Sequence, residues 1–199
     1  MNSLDYEEGV KHLLKVEPAF KNIIPKTEIS FFLRPEGFEG MASLIIEQQL
    51  SVKAADTIKK RVFALMAKVN SKNYLNLSQN SLKACGLSRQ KIEYLSIVAE
   101  AEIYGDLSYE AISKMSDTDA QQELCKLKGI GPWTADCYLM ACLGRPDIWP
   151  VGDIGLQEGV RRLKHLKERP TIEDMTSIAS EDRKSTRLNS SHVRTSRMP

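Results

Sequence analysis

Apolar residues recur along this chain mainly at intervals of three and four, the spacing of one face of an α-helix. The stripe in residues 4–16 consists of Leu4, Val10, Leu13 and Leu14. The longest stripe follows Ser51 and consists of Ala54, Ala55, Ile58, Val62, Leu65 and Met66. Residues 38–49 are apolar on most sides, as in a buried helix. Because Pro18, Pro35 and Pro170 interrupt extended segments and no long alternation of apolar and polar residues occurs, the pattern predicts an all-α fold.

Polar caps and glycines predict where these helices begin and end. Ser51 is expected to cap a helix over 52–69, and Ser78 and Ser88 to open helices over 79–84 and 88–104. Gly86 and Gly105 fall where a C-terminal cap would favour glycine. Ser108 and Asp117 are expected to open two short helices, Asp153 to precede a helix to about residue 162, and Thr171 to begin one to 179. Residues 27–37, with a proline near each end, are predicted to be a loop.

Residues 127–136 carry the strongest functional signal, Leu-Lys-Gly-Ile-Gly-Pro-Trp-Thr-Ala-Asp. Gly129 and Gly131 allow a tight turn with positive φ where a Cβ would clash. Pro132 suits the first turn of a helix, where its missing N–H is not needed. The string therefore predicts a helix, a turn and a second helix, whose N-terminal amides can bind an anion such as a phosphodiester.

Composition narrows the class of protein. The 199 residues, 42 % hydrophobic, are enough for one compact unit or two small lobes. No stretch approaches the ~20 apolar residues of a membrane span, and the first residues lack the charged-then-apolar order of a signal peptide. We therefore expect an intracellular protein. The four cysteines form no Cys-x-x-Cys pair and the three histidines are scattered, so structural zinc is not expected and the cysteines are interpreted as core residues.

The net charge is unevenly distributed. The formal +2 comes from 28 basic and 26 acidic residues, but five of the basic residues and none of the acidic ones lie in the last seventeen positions. The rest of the chain has 23 basic and 26 acidic residues, a net charge of −3. Any affinity for nucleic acid must therefore come from local placement of amides and cations.

The 127–136 string, together with Asp153 behind Trp149-Pro150-Val151-Gly152, resembles the helix-hairpin-helix (HhH-GPD) DNA glycosylase superfamily. Within it, Gly-Ile-Gly-Pro-Trp-Thr-Ala is similar to the 3-methyladenine DNA glycosylase II branch. The resemblance implies two helical lobes with a cleft between them. Its domain limits are residues 1–37 and 151–182 for the two segments of one lobe, and 38–150 for the other lobe, with the helix-hairpin-helix at 124–142.

The resemblance also implies catalytic and substrate-binding residues. Asp153 matches the family's catalytic carboxylate, which stabilises positive charge at C1′ of the sugar and orients water; a plain helix cap is the alternative. Bifunctional relatives carry a nucleophilic lysine at the position of Trp133, and tryptophan cannot form a Schiff base. The aromatic candidates for binding a cationic, alkylated base are Trp133, Tyr138 and Trp149, with a core role open for Trp133.

Several residues are candidates for holding DNA. Glu47 to Ser51 match the loop that inserts a wedge into the vacated base stack, with the wedge either Gln49 or Leu50. A packed Leu50 and a solvated Gln49 are the alternative. Lys128, Gly129, Gly131 and Thr134 are expected to clamp phosphate at the hairpin. Arg89 and Lys91, behind the Ser88 cap, could bind a further phosphate or form a solvated face.

No required cofactor is expected. Some relatives hold an iron–sulfur cluster with four cysteines downstream of the catalytic Asp, but no cysteine follows Cys142 here. As in relatives, the carbonyl oxygens of Cys125, Leu127 and Ile130 could hold a structural monovalent cation. The expected partner is duplex DNA with a damaged base, bound by a monomer, and no membrane.

Residues 183–199 depart from the family, which continues with an aromatic-rich helix. They have no helical stripe and no acid, so they are predicted to be disordered. They resemble translated vector or adapter sequence; a natural basic arm for nucleic acid is the alternative.

The sequence thus predicts a monofunctional DNA glycosylase that excises alkylated purines in base excision repair. Two other hypotheses stay open, a non-catalytic helix-hairpin-helix DNA-binding module and a glycosylase for oxidised or deaminated bases.

Overall fold

The computed structural model describes residues 10, 11, 14 and 15 and the continuous stretch 33–180. Residues 33–148 belong to one compact unit, and the four N-terminal residues and 149–180 belong to a second. All regular structure within these ranges is helical, so the all-α prediction is confirmed there. The domain limits at 37, 150 and 182 stay predictions.

The first unit holds eight of the described helices. They are α1 (Phe38–Glu47), α2 (Val52–Phe63), α3 (Ser71–Leu75), α4 (Gln79–Ala84), α5 (Arg89–Tyr104), α6 (Tyr109–Lys114), α7 (Asp117–Cys125) and α8 (Pro132–Ala141). The second unit holds α9 (Ile154–Leu163) and a further helical stretch over 172–180.

Helix α1 is the centre of the first unit, as its apolar surface predicts. Met41, Ile45 and Ile46 are completely buried, and the helix packs against α2, α5 and α8. Helix α7 packs against α8, which makes the helical pair of the predicted hairpin. The hairpin is therefore supported from behind by the most buried helix of the unit.

Side-chain caps fix most helix starts. The capping oxygens, each accepting a backbone N–H of its own helix, belong to Ser51, Asn70, Ser78, Ser88, Ser108, Ser116 and Asp153. The caps predicted at Ser51, Ser78, Ser88 and Ser108 are confirmed. The start predicted at Asp117 is confirmed, since α7 begins at that residue. Its N-cap is Ser116, whose hydroxyl accepts the Asp119 N–H and donates to the Asp119 carboxylate. The Ser116 cap thereby satisfies one of the free amides of the first turn.

Helix α2 is six residues shorter than the predicted span of 52–69. After Phe63 the backbone forms a tighter turn, in which the Leu65 N–H donates to the Val62 carbonyl and the Met66 N–H donates to the Phe63 carbonyl. This turn carries Met66 into the core but leaves Leu65 41 % exposed, so the inward orientation predicted for Leu65 is wrong. Such tight i→i+3 bonds are a common way to end a helix.

Two sequence predictions reach beyond the described ranges. Residues 10, 11, 14 and 15 are helical, as the stripe in 4–16 predicts, and the remainder of that stripe lies outside the described residues. The tail 183–199 also lies outside them. Within the described part of the chain no helix has the length and apolar character to span a membrane.

Candidate functional site

The hairpin turn depends on one glycine. The Ile130 N–H donates to the Leu127 carbonyl at 3.0 Å and closes a four-residue turn, in which Gly129 has φ of 96°. A Cβ at Gly129 would lie 2.2 Å from the ring of Tyr94, so an aromatic side chain of α5 occupies the space beneath the turn. Gly129 is therefore required both by its backbone conformation and by this close approach.

Gly131 has a different role from the one predicted. Its φ is −93°, an ordinary extended value, and nothing lies within 4 Å of where a Cβ would stand. The expectation of positive φ at Gly131 is wrong. It is instead the N-cap of α8, with Pro132 following as the first helical residue and no side chain capping the helix. The amides of the first turn have no acceptor within the helix, and they form its positive end.

Gln48 joins the predicted wedge loop to the hairpin. It caps the C-terminus of α1, and its side-chain Nε2 donates to the Gly129 carbonyl and to the Thr134 hydroxyl, both at 3.0 Å. These contacts span 81 and 86 residues of sequence. Sequence reasoning missed this role, because the Gln48-Gln49 pair itself gives no sign of its distant partners.

Lys91 holds the same loop from the other side. Its Nζ donates to the carbonyls of Ile46 at 2.6 Å and Gln48 at 2.7 Å, at the C-terminal end of α1, where carbonyls lack a helical N–H donor. Burial lowers the pKa of Lys91 below its usual value. Two of the three ammonium N–H donors are thus committed to α1, and the phosphate role predicted for Lys91 stays a prediction. Arg89 is exposed in the first turn of α5, and its phosphate role stays a prediction.

Three segments that the sequence singled out separately meet at one depression of about 600 Å³. These are the wedge loop, the start of α5 and the hairpin. The predicted DNA-binding residues that line it are Gln49, Leu50, Lys91, Lys128, Gly129 and Gly131. Arg89 and Thr134 are outside this lining.

The tip of the wedge loop is open to solvent. Gln49 is exposed and has φ of 55°, the left-handed region that few non-glycine residues adopt. Leu50 is 39 % exposed and Val52, two residues on, is 88 % exposed. The alternative in which Leu50 packs inside is therefore wrong. Both Gln49 and Leu50 stay candidates for the wedge.

Lys128 is solvent-exposed on the hairpin turn and is paired across to α5. Its Nζ lies 2.5 Å from a carboxylate oxygen of Glu93, and this contact raises the pKa of Lys128. The ammonium is therefore charged at neutral pH and has one acidic neighbour that a DNA phosphate would have to displace.

Two hairpin side chains are in the core. Thr134 is 3 % exposed and bonded to Gln48, and Tyr138 is completely buried, with its hydroxyl accepting the Gly37 N–H at 2.8 Å. The base-stacking role predicted for Tyr138 is therefore wrong, because its side chain does not reach solvent. The buried Thr134 side chain says nothing against a phosphate contact of its backbone amide, so the DNA contact predicted at Thr134 stays a prediction. Trp133 is partly buried and packs against the core, and its predicted base-binding role stays a prediction.

The second unit carries Asp153 and Trp149. The Asp153 carboxylate accepts the Leu156 N–H at 2.7 Å and caps α9, as predicted. The Trp149 indole N–H donates to the Met175 carbonyl at 3.0 Å, and Trp149 as a whole is partly buried. The Gln157 side chain donates to the Val151 carbonyl at 2.9 Å, which connects α9 to the segment that precedes Asp153. Asp153 is thus held in a fixed orientation by its own helix.

Metal-binding side chains are not clustered in the described ranges, where no group of three or more His, Cys, Asp or Glu residues could hold an ion. Cys85, Cys137 and Cys142 are buried thiols, as predicted, and Cys125 is partly buried beside the hairpin. The Leu127 carbonyl already accepts the Ile130 N–H, which uses one of its two lone pairs. A monovalent cation on the carbonyls of Cys125, Leu127 and Ile130 stays a prediction.

Known proteins match this chain over most of its described length. Residues 42–182 match the HhH-GPD superfamily of base excision DNA repair proteins. A DNA-3-methyladenine glycosylase of Bacillus subtilis is 31 % identical over 157 residues, which cover 73 % of this chain and 52 % of the relative. The chain thus spans about half the length of the first curated relatives it matches.

Two solved structures share the fold. A DNA-3-methyladenine glycosidase from Bacillus halodurans has a TM-score of 0.71 and 32 % identity, covering 85 % of this chain and 78 % of that one. The Schizosaccharomyces pombe 3-methyladenine DNA glycosylase in complex with abasic DNA has a TM-score of 0.71 and 28 % identity, with 78 % of each chain covered.

Proposed function

Because this chain belongs to the HhH-GPD superfamily of base excision DNA repair proteins, we propose that it is a monofunctional DNA glycosylase that excises alkylated purines. The observation that carries the proposal is the likeness to proteins named DNA-3-methyladenine glycosylase, from sequence and from structure. The hairpin and the Asp153 cap supply the groups that such a reaction needs.

The hairpin is the proposed phosphate clamp. The uncapped N-terminus of α8 presents amides and the positive end of the helix dipole, which favour a phosphodiester without reading sequence. Lys128 lies on the same turn with its side chain largely in solvent. Duplex DNA carrying a damaged base is the proposed partner, and the chain acts as a monomer.

Asp153 is the proposed catalytic carboxylate. As the N-glycosidic bond breaks, the bonding electrons leave with the base and positive charge develops at C1′. A carboxylate stabilises that charge, and it can accept a proton from the water that attacks C1′. The hydrogen bond from the Leu156 N–H supports this role, since it fixes the orientation of the carboxylate before DNA binds. Capping α9 and catalysis are therefore compatible functions of one side chain.

Trp133 supports a monofunctional reaction. An amine at this hairpin position would form a Schiff base with the sugar and lead to strand cleavage, and an indole cannot. The proposed product is an abasic site in an intact strand. Borohydride is therefore expected to trap no covalent adduct, and strands should break only after treatment with alkali.

An alkylated purine suits the remaining aromatic candidates. A base methylated at N3 or N7 is cationic and leaves readily, so no acid needs to protonate it. Trp133 and Trp149 are each only partly buried, and an accessible indole ring attracts a cationic base by about 0.5–2 kcal/mol.

The proposal is tested by incubating the chain with methylated duplex DNA and separating the released bases by chromatography. Release of 3-methyladenine or 7-methylguanine is the expected result. Binding of the duplex without any free base would favour the non-catalytic module. Release of bases from oxidised or deaminated duplexes, but none from methylated duplex, would favour the third hypothesis.

A further inference from the structure

The loop between α1 and α2 is bound at its first residue from two directions. The Gln48 carboxamide contacts the hairpin through Gly129 and Thr134. The backbone carbonyl of the same residue accepts the Lys91 ammonium from α5. One residue therefore fixes the loop to both of the other segments that line the depression.

The contacts on the hairpin side are specific for a carboxamide. Gln48 Nε2 has two hydrogens, and the two acceptors at 3.0 Å are a backbone carbonyl of the turn and a hydroxyl that is itself buried. A carboxylate could not donate to the Gly129 carbonyl, and a hydrocarbon would leave both acceptors without this donor.

The residues after Gln48 depend on this anchor. Gln49 has φ of 55°, and the Leu50 N–H returns to the Glu47 carbonyl at 3.2 Å. A left-handed residue is retained only where its surroundings hold it. Its neighbours in the loop are held by the Gln48 and Lys91 contacts, and the result is that Gln49 and Leu50 stand exposed at the depression.

We propose that Gln48 is a positioning residue that latches the wedge loop to the phosphate-clamping hairpin. This latch fixes the position of the residue inserted into the base stack relative to the amides that bind phosphate. The inference rests on the proposed function, since it assigns a partner to the wedge of that reaction. Gln48 itself acts through Gly129 and Thr134 and not on the reacting atoms.

The test compares Gln48→Met with Gln121→Met. Gln121 also donates a carboxamide hydrogen bond within the hairpin, to the Asp136 carboxylate between α7 and α8, but it does not contact the wedge loop. Duplexes carrying a tetrahydrofuran abasic analogue, with 2-aminopurine as the opposite base, report wedge insertion by fluorescence and require no excision. Undamaged duplex reports the phosphate clamp alone.

Gln48→Met is expected to lower 2-aminopurine unstacking and single-turnover excision about tenfold, because small misplacements of a positioned group have effects of this order. Affinity for undamaged duplex should stay within about twofold, since phosphate contacts supply non-specific binding. Thr134→Val should act in the same direction and Thr134→Ser should retain the parent signal, because only serine keeps the hydroxyl acceptor. Gln121→Met should match the parent in unstacking.

A double-mutant cycle separates a latch from general loosening. If Gln48 acts through the wedge, Gln48→Met should cost less in a background with both Gln49→Ala and Leu50→Ala than in the parent, since either residue is a candidate wedge. Additive effects, a parent-like unstacking signal in Gln48→Met, or an equal loss in Gln121→Met would each overturn the proposal. Absence of unstacking by the parent chain would also overturn it, because the loop would then have no insertion to hold.

The proposed function fails by a different observation. It fails if the parent releases no base from methylated DNA, whatever the fluorescence of the abasic-analogue duplex. Unstacking that depends on Gln48 in a chain without excision would retain the latch and remove the glycosylase.

Discussion

Helices α8 and α9 begin in opposite ways, although each carries a residue central to the proposed reaction. Helix α9 is capped by the carboxylate of Asp153, which accepts the Leu156 amide. Helix α8 begins at Gly131 with no side-chain cap. Among helices α1 to α7, only α1, whose N-cap is Gly37, also lacks a side-chain cap.

The two uncapped starts differ in exposure. The Gly37 N–H of α1 donates to the buried hydroxyl of Tyr138, so that start is tied into the core. Gly131 and Pro132 are exposed. A side-chain cap contributes about 1 kcal/mol to a helix, and α8 has none. An exposed helix start without a side-chain cap is what the proposed phosphate clamp requires, whereas the capped starts stabilise the fold.

The largest effect is expected from destroying the turn that presents the α8 start. Gly129→Ala places a Cβ against the Tyr94 ring at positive φ. Left-handed strain of about 1–2 kcal/mol and overpacking of about 1–3 kcal/mol should together lower the free energy of unfolding by several kcal/mol. Urea denaturation measures the change.

The matched control is Gly105→Ala. Gly105 also has positive φ, 89°, but nothing lies within 4 Å of its Cβ position. Only the strain should remain, about 1–2 kcal/mol. Equal losses in the two variants would mean that the Tyr94 contact does not matter.

Asp153→Asn removes the negative charge at the start of α9 and keeps a capping side chain. Asparagine caps a helix as well as aspartate does, so the melting temperature should change little. Excision should fall about a hundredfold, the order seen when one electrostatic stabiliser is lost. Single-turnover base release measures excision, and thermal melting measures stability. Near-normal turnover would remove Asp153 from the mechanism and leave it as a cap alone.

The uncapped start is tested by supplying the missing cap. Gly131→Asn and Gly131→Asp both fit, because the Cβ position is open and φ is −93°. Either cap should raise stability by a few tenths of a kcal/mol. Only Asp adds a negative charge where a phosphate should bind, so DNA affinity should fall about tenfold with Asp and clearly less with Asn.

Fluorescence anisotropy over a range of salt concentrations makes this measurement. Loss of one phosphate contact should also reduce the salt slope of binding by about one. Identical affinities for the Asp and Asn variants would mean that α8 does not bind an anion.

The contrast also explains how much could be predicted from the sequence. Caps and turns are local, so Ser78, Ser88 and Asp153 were predictable from one residue and its neighbours. The turn at Gly129 was predictable for the same reason. The ring of Tyr94 beneath it comes from 35 positions away, and no local rule distinguishes it from an exposed tyrosine on α5.

The partners of Lys91, Thr134 and Tyr138 could not be predicted from the motifs near which these residues lie. Their side chains satisfy the α1 carbonyls, the Gln48 amide and the Gly37 amide. Which partner a polar side chain takes is decided by tertiary packing, because a buried polar group needs a hydrogen bond wherever it lies.

The smallest effect is expected from changing the ion-pair partner of Lys128, which lies on the turn before α8. Lys128 is paired with Glu93, both side chains are largely exposed, and the pair raises the pKa of Lys128. Glu93→Gln removes the carboxylate that competes with a phosphate for this ammonium. Duplex affinity should therefore rise about two- to threefold at low salt, and the gain should fade at high salt because exposed charges are screened.

Glu110→Gln is the control, since it breaks another exposed ion pair, with Lys114 on α6. It should change neither affinity nor, within a few tenths of a kcal/mol, stability. Weaker binding in Glu93→Gln would reverse the interpretation. Glu93 would then orient Lys128 toward DNA, and the ion pair would belong to the clamp together with the open amides of α8.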